Sequence, residues 1–371
     1  MRHKIKPAKV ICSTIIVAVS LLWTDTQLLS WGLFNLFTDT RYSQEGLHKV
    51  ESFDPDRDIL YLPPLKGKDI FESSRDLSIC RNKTVRKHIY LYLTSKREYL
   101  IRAIERSYRY DDMIQDVMKK NSDIPAELAL LPLLESCFDP RAVSSSRAVG
   151  LWQFVDNTAR PLGLRSDQWI DERRDVEKST AAAIRHIRNI RGSFPDWVLT
   201  LAAYNGGAGY VKRTMEKTGI KDFWKLREGG FLRDETSEYI PKYIALMVIY
   251  KNQRLFGVSE EITVPKKTET ELYTLRHPVD LRDVSRLGGV SLQTIRDLNP
   301  EINSNLTPPG IKNYQLRIPA EARKSLDAKT DALYKTRITG VIKHRVKKGE
   351  SVTAIARLYK KKLHSSLNIT R

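Results

Sequence analysis

The sequence predicts a mainly α-helical chain with small α+β units behind the helical part. Two observations carry this expectation. From Ser74 to Gly257, apolar residues recur at helical spacing in segment after segment, and no run alternates as a strand would. After Val264-Pro265 the composition changes, and residues 270–320 read as strand, two short helices and strand, punctuated by Asn299-Pro300 and Pro308-Pro309-Gly310. With 371 residues and 41% hydrophobic content, the chain has material for two or three domains.

Taken in order, residues 1–24 place Arg2, Lys4, Lys6 and Lys9 ahead of the apolar run Val10 to Trp23. A basic head before a short apolar stretch is the pattern of a signal peptide or signal anchor; the stretch is short for a spanning helix. Residues 25–73 lack a clear period and read as an N-terminal extension. The helical part is expected over 74–257. Val85, Ile89, Tyr92 and Tyr99, and then Met113, Ile114 and Val117, suit structural helices. Val176, Ile184, Ile187 and Ile190 mark another, preceded by the charged run Asp171 to Asp175, a salt-bridge cluster at a helix start. Trp197 to Tyr204 is helical and is stopped by Asn205-Gly206-Gly207, as glycine past the last turn ends a helix. A final helix follows Glu235 to Tyr239 and is expected to reach about Phe256. Residues 321–343 read as a linker, and 344–371 as the start of a further small unit.

The centre of the chain is the stretch from Pro125 to Gly163. Leu128, Leu131 and Glu135 stand at i, i+3 and i+7, one face of a helix, although Pro132 opposes a regular one. A carboxyl among leucines is partly desolvated, which disfavours the anion and raises its pKa. Such a group keeps its proton near neutral pH and can give it to a leaving oxygen. The bland alternative is a solvated glutamate at a helix end before Asp139-Pro140.

Charge and cysteines narrow the function classes. The net charge is +19, and over half of it lies in residues 321–371, where fourteen Lys and Arg face four acids. A basic tail suits nucleic acid, anionic lipid or anionic wall polymer, or simple solvation. No nucleic-acid fold signature accompanies it, so no nucleic-acid partner is expected. Cys80 and Cys137 are too few for a disulfide framework and read as buried free thiols, pairing being the alternative. The seven His are scattered without zinc spacing, so no metal and no cofactor are expected.

Three motifs in order resemble the lysozyme-like lytic transglycosylases of the soluble-transglycosylase type: LLPLLES around Glu135, GLWQF with Gln153 eighteen residues on, and LAAYNGG at 201–207. The resemblance covers about residues 85–260 and implies a lysozyme-like α-helical catalytic domain with a cleft. It implies cleavage of the MurNAc–GlcNAc bond of peptidoglycan glycan strands with formation of a 1,6-anhydro sugar. Glu135 matches the single catalytic acid, and Ser144, Gln153, Tyr204, Asn205 and Tyr239 match substrate-binding positions. A bacterial cell envelope location is expected, periplasmic, with membrane anchoring through the N-terminus an open alternative to a cleaved signal. Residues 270–320 are similar to a degenerate LysM-like unit, and HRVKKGESVTAIARLYKK at 344–361 to the first half of a LysM module whose closing strand is not evident. Two rival functions remain at this point: a hydrolytic muramidase of goose type, which admits water to the same glutamate, and a non-catalytic peptidoglycan-binding scaffold. The oligomeric state has no signal in the sequence.

Overall fold

The structure, a computed structural model, describes residues 82–254, 256–335, 347 and 349–358. The expected signal segment, the N-terminal extension, Cys12 and Cys80 lie outside them, as does most of the tail. The described residues divide into two compact units, one running to Leu164 and again over Val176–Pro265, the other made of Arg165–Asp175 together with the chain from Lys266.

The first unit is helical throughout. Helix α1 (Lys83–Leu93) begins at Asn82, whose side chain accepts from the Thr84 amide, and it buries Val85, Ile89, Tyr92 and Leu93. Helices α2 (Arg97–Ser107) and α3 (Asp111–Lys119) follow. The one continuous helix face expected for Leu128, Leu131 and Glu135 is broken. Residues Ala126–Leu130 form a 3-10 turn, and a new helix α4 (Leu131–Ser136) starts with Pro132 in its first turn. Proline is tolerated there because a first-turn amide has no helical acceptor anyway. Short α5 (Asp156–Ala159) precedes α6 (Val176–Arg191). Helix α7 (Trp197–Gly206) is capped by Asp196, which accepts from the Leu199 amide at 2.8 Å. It ends at Gly207, whose φ of 90° favours glycine. Helices α8 (Ala208–Thr218) and α9 (Phe223–Glu228) lead to α10 (Asp234–Lys251).

Helix α10 is the axis of the unit. It is buried almost all round from Thr236 to Ile249 and packs on α1, α4 and α7. Pro241 sits inside it and leaves the Ser237 carbonyl without a helical donor. Arg227 fills that position: its Nε donates to the Ser237 carbonyl at 3.1 Å, and its Nη2 pairs with Glu238 at 2.7 Å. The helix stops at Lys251, short of the expected Phe256. There the Asn252 side chain donates back to the Val248 carbonyl at 2.8 Å, competing with continuation of the helix.

The second unit has the expected strand–helix–helix–strand order. Strand β1 (Thr270–Leu275) pairs antiparallel with β2 (Tyr314–Pro319), Tyr273 opposite Leu316. Between them stand α11 (Leu281–Gly288) and α12 (Leu292–Leu298), capped by Asp280 and Ser291. The expected linker does not begin at 321: α13 (Ala320–Ala328) and α14 (Thr330–Tyr334) occupy its first half. Ala322, Leu326 and Leu333 are buried with Leu281, Val284 and Leu316, an apolar stripe that a solvated linker would leave in water. Residues 165–175, read as part of the helical domain, belong here too. Ile170 is buried in this core, the Asp171 amide donates to the Glu301 carbonyl at 2.8 Å, and Asp171 and Arg173 form a buried ion pair at 2.8 Å. The charged run is therefore a local clasp rather than the start of α6. Helix α15 (Val352–Leu358) carries buried Ile355; the rest of 344–371 is outside the described residues apart from Lys347 and 349–351.

Candidate active site

Glu135 stands near the end of α4, where the chain reverses sharply. Cys137 and Phe138 both take left-handed backbone conformations, each with φ 54°. The reversal is anchored by Ser136, whose hydroxyl donates to the Leu151 carbonyl at 2.9 Å, tying α4 to the turn at 150–154. Leu131, Leu133 and Leu134 are buried behind the glutamate, which is itself half-buried.

Across from it, α10 presents Tyr239, 2% exposed, whose hydroxyl donates to Glu135 Oε1 at 2.5 Å. Burial pushes the Glu135 carboxyl up to about 7. The Tyr239 hydrogen bond opposes that shift, because it favours the anion, and the charge of Glu235 reinforces it. A donor on Oε1 leaves Oε2 to carry the proton. Tyr239 and Tyr204 are both raised well above the ordinary tyrosine value, first by burial and then by the neighbouring Glu135 charge. Both therefore act as neutral hydroxyls.

The turn after α4 supplies the other expected residues. Val149 bridges both Val143 and Phe154, and Gly150 and Gln153 take φ of 84° and 49°. Gln153 Nε2 donates to the Gly150 carbonyl at 2.8 Å, so its amide nitrogen serves its own turn. Ser144 does the same: its hydroxyl accepts from the Ala148 amide at 3.0 Å and lies 2.9 Å from the Ser146 hydroxyl. Trp152 is fully buried, with its indole donating to Thr180 Oγ1 at 2.9 Å, and is a core residue. Tyr204 reaches the same turn by donating to the Trp152 carbonyl at 2.8 Å. Asn205 Nδ2 approaches Glu235 Oε1 at 3.3 Å, while its Oδ1 is buried without a hydrogen-bond partner among the described residues.

The structure thus joins Tyr239 to Glu135 directly and places the Glu135 charge within electrostatic reach of Tyr204. Asn205 is joined to Glu235, and Ser144 and Gln153 are engaged in the turn between residues 142 and 154. Two contributors escaped sequence reasoning. His186 lies edge-on to Phe154 and tilted against Tyr204, at centroid distances of 6.0 and 5.6 Å, and burial lowers its pKa. Glu235 is exposed in the first turn of α10 and acts on Glu135 by charge. Its place one residue before Thr236 in a helix-start pattern disguised it as an ordinary first-turn acid. Among the described residues no group of His, Cys, Asp and Glu is arranged to hold a metal ion, and no helix is long and apolar enough to cross a membrane. Cys137 is a buried free thiol, pushed up to about 12 by burial.

Residues 112–227 match the family model of the Transglycosylase SLT domain, and residues 257–335 match that of the lytic transglycosylase MltD LysM-like domain. The chain is 34% identical over 234 residues to membrane-bound lytic murein transglycosylase D of Escherichia coli K12, covering 62% of this chain and 50% of that protein. It is 38% identical over 104 residues to a putative tributyltin chloride resistance protein of an Alteromonas species, covering 28% and 49% respectively. To membrane-bound lytic murein transglycosylase F of Alcanivorax borkumensis it is 28% identical over 144 residues, covering 36% and 30%. The chain therefore spans about half the length of the E. coli relative it matches. It carries an SLT transglycosylase domain followed by an MltD-type LysM-like domain. The mainly helical first unit and the two-stranded second unit agree with that order.

Proposed function

We propose that this chain, built on an SLT transglycosylase domain, is a peptidoglycan lytic transglycosylase with Glu135 as its one acid and base. The observation that supports it most is the Glu135 carboxyl, raised to about 7 and held by a neutral tyrosine, with no cation among the causes of its shift. A carboxylic acid in that state gives its proton to the glycosidic oxygen as the C1–O bond breaks. The Glu135 carboxylate so formed takes the proton of the muramic acid C6 hydroxyl, whose oxygen closes on C1. The product is a 1,6-anhydro sugar; no water enters, and the acid is regenerated. The substrate supplies the nucleophile, so a second carboxylate at nucleophile distance is not needed.

In this reading Tyr239 positions Glu135 and fixes which oxygen holds the proton. Asn205, with its unused Oδ1, and Tyr204 face the sugar. Gln153 offers its remaining amide oxygen, or turns out of its own turn when substrate arrives, and Ser144 lines the same edge. The LysM-like unit holds the chain on glycan strands. The setting is the bacterial cell envelope, on the periplasmic side, with the N-terminal residues as export signal or anchor.

Digestion of purified sacculi by the full chain and by Glu135→Gln, followed by mass spectrometry, tests the reading. Anhydro-muropeptides from the wild type alone are expected. Products heavier by one water would identify a hydrolytic muramidase instead, and intact sacculi with both proteins would identify a binding scaffold.

A further inference from the structure

We propose that Gly206 and Thr236 form a joint between α7 and α10 that holds Asn205 against Glu235 at the edge of the candidate site, with Thr236 as a positioning residue and Gly206 as its seat. The proposal deepens the reading of Glu135 as the acid and rests on that reading for its meaning in cleavage.

The two glycines at the end of α7 differ. Gly207 has a φ of 90°, where a side chain strains the backbone, and a Cβ there would meet no heavy atom within 4 Å among the described residues. Gly206 is the reverse case. It is the last residue of the helix, and its φ is not positive. Alanine is the better helix former, so propensity alone does not call for glycine there. Space does. A Cβ at Gly206 would lie 2.6 Å from Thr236 Oγ1, 3.2 Å from Thr236 Cγ2 and 3.3 Å from Tyr210 Cδ1. Thr236 is 1% exposed, and its side chain fills the place that a Cβ would take. A β-branched side chain in a helix has few rotamers with which to yield.

The neighbours in sequence show what the contact holds. Asn205 precedes Gly206 and Glu235 precedes Thr236, and Asn205 Nδ2 donates to Glu235 Oε1 at 3.3 Å. Glu235 is exposed, and that amide is the hydrogen-bond partner of its carboxylate among the described residues. Tyr239 follows Glu235 by four residues, one turn along the same face of α10, and donates to Glu135. On α7, Tyr204 donates to the Trp152 carbonyl at 2.8 Å. The titratable groups coupled to Glu135 are therefore Tyr239 and Glu235 from α10 and Tyr204 from α7, and Glu235 acts on Lys242 as well. Opening the joint releases Glu235 toward solvent and weakens its repulsion of the Glu135 carboxylate.

The test is a carbon-13 NMR titration of the Glu135 carboxyl in the full chain, its signal assigned by its loss in Glu135→Gln, run beside the sacculus digestion. Gly206→Ala is expected to move the Glu135 midpoint downward by about 0.2–0.5 unit, and to move it no further in a Glu235→Gln background. Adding Thr236→Ala to Gly206→Ala removes the two nearest obstructing atoms and should bring the midpoint back to within about 0.1 unit of the wild type. Where Gly206→Ala does not fold, Asn205→Ala carries the result, with the same downward shift expected. A merely structural glycine would lower the melting temperature and leave the midpoint in place. An unmoved midpoint in the variant that carries the result, a shift that persists without Glu235, or no return on adding Thr236→Ala would each overturn the proposal. The titration needs no cleavage, so sacculi left intact by every variant would sink the proposed function while the midpoints still decide the joint.

Discussion

Glu127 and Glu135 lie eight residues apart on one continuous segment, and the fold treats them in opposite ways. Glu127 is 6% exposed and meets an ammonium, Lys251 Nζ, at 2.6 Å. Glu135 is half-buried and, among the described residues, its hydrogen-bond partner is a hydroxyl, that of Tyr239. A cation beside a carboxylate offsets part of the cost of burying its charge; a hydroxyl offsets much less. One glutamate can therefore serve as a structural ion-pair partner, and the other is left holding its proton near neutrality. Proximity to leucines does not separate them, since both have it. The partner does.

The strongest way to break this contrast is at Glu135. Glu135→Gln should lower glycan cleavage by about 10³-fold or more, because the positioned acid is lost. The same change should stabilise the protein at alkaline pH. The folded carboxyl titrates at about 7, above its unfolded value of 4.5, so the fold holds the proton where the unfolded chain has released it. Wild-type stability should then fall as pH rises between those values and stay low above them. Urea unfolding should find the glutamine variant more stable by roughly 1–3 kcal/mol at pH 8, with the advantage shrinking at pH 4.

At Glu127 the expected sign is reversed. Lys251→Met removes the ammonium and leaves the carboxylate buried without its cation. It should cost about 2–4 kcal/mol in urea unfolding at pH 7. A stabilised Lys251→Met would show that the two glutamates do not differ as described.

Subtler changes act through the pH profile. With Glu135 as the proposed acid, the rate should decline as pH rises through about 7. Tyr239→Phe removes a hydrogen bond that favours the anion, so the alkaline limb should move upward, by up to about one unit, even as the rate drops about tenfold. A merely structural tyrosine would lower the rate without moving the limb. Smallest of all, Glu235→Gln removes a repelling charge and should move the limb downward by a few tenths of a unit, an effect that salt diminishes.

Much of this site can be read before any fold is known. The apolar run into Glu135, the glycine stop after Asn205 and the strand–helix–helix–strand order of the second unit are local patterns, and local patterns survive folding. The role of Tyr239 entered by resemblance, and its bond to Glu135 spans 104 residues. Trp152 and Gln153 stand side by side in a motif, yet one is fully buried and the other half-buried; only the reversed backbone of that turn separates them. Residues 320–334 are helical because a neighbouring apolar face covers Ala322, Leu326 and Leu333, which a reading of their high charge alone does not reveal.

By itself the sequence determined the helical character of the first unit, the composition break after Pro265 and a glutamate set among leucines. These depend on spacing and on residue type, which are complete in one dimension. Tertiary structure decided which glutamate has a cation and which a tyrosine, since Lys251 stands 124 residues from Glu127. It also decided that residues 165–175 fold with the second unit: Ile170 finds its apolar cover there, and the Asp171 amide finds the Glu301 carbonyl. The physical reason is the same in each case. A side chain's charge state and burial are set by whatever the rest of the chain brings beside it, and no local pattern encodes that neighbour.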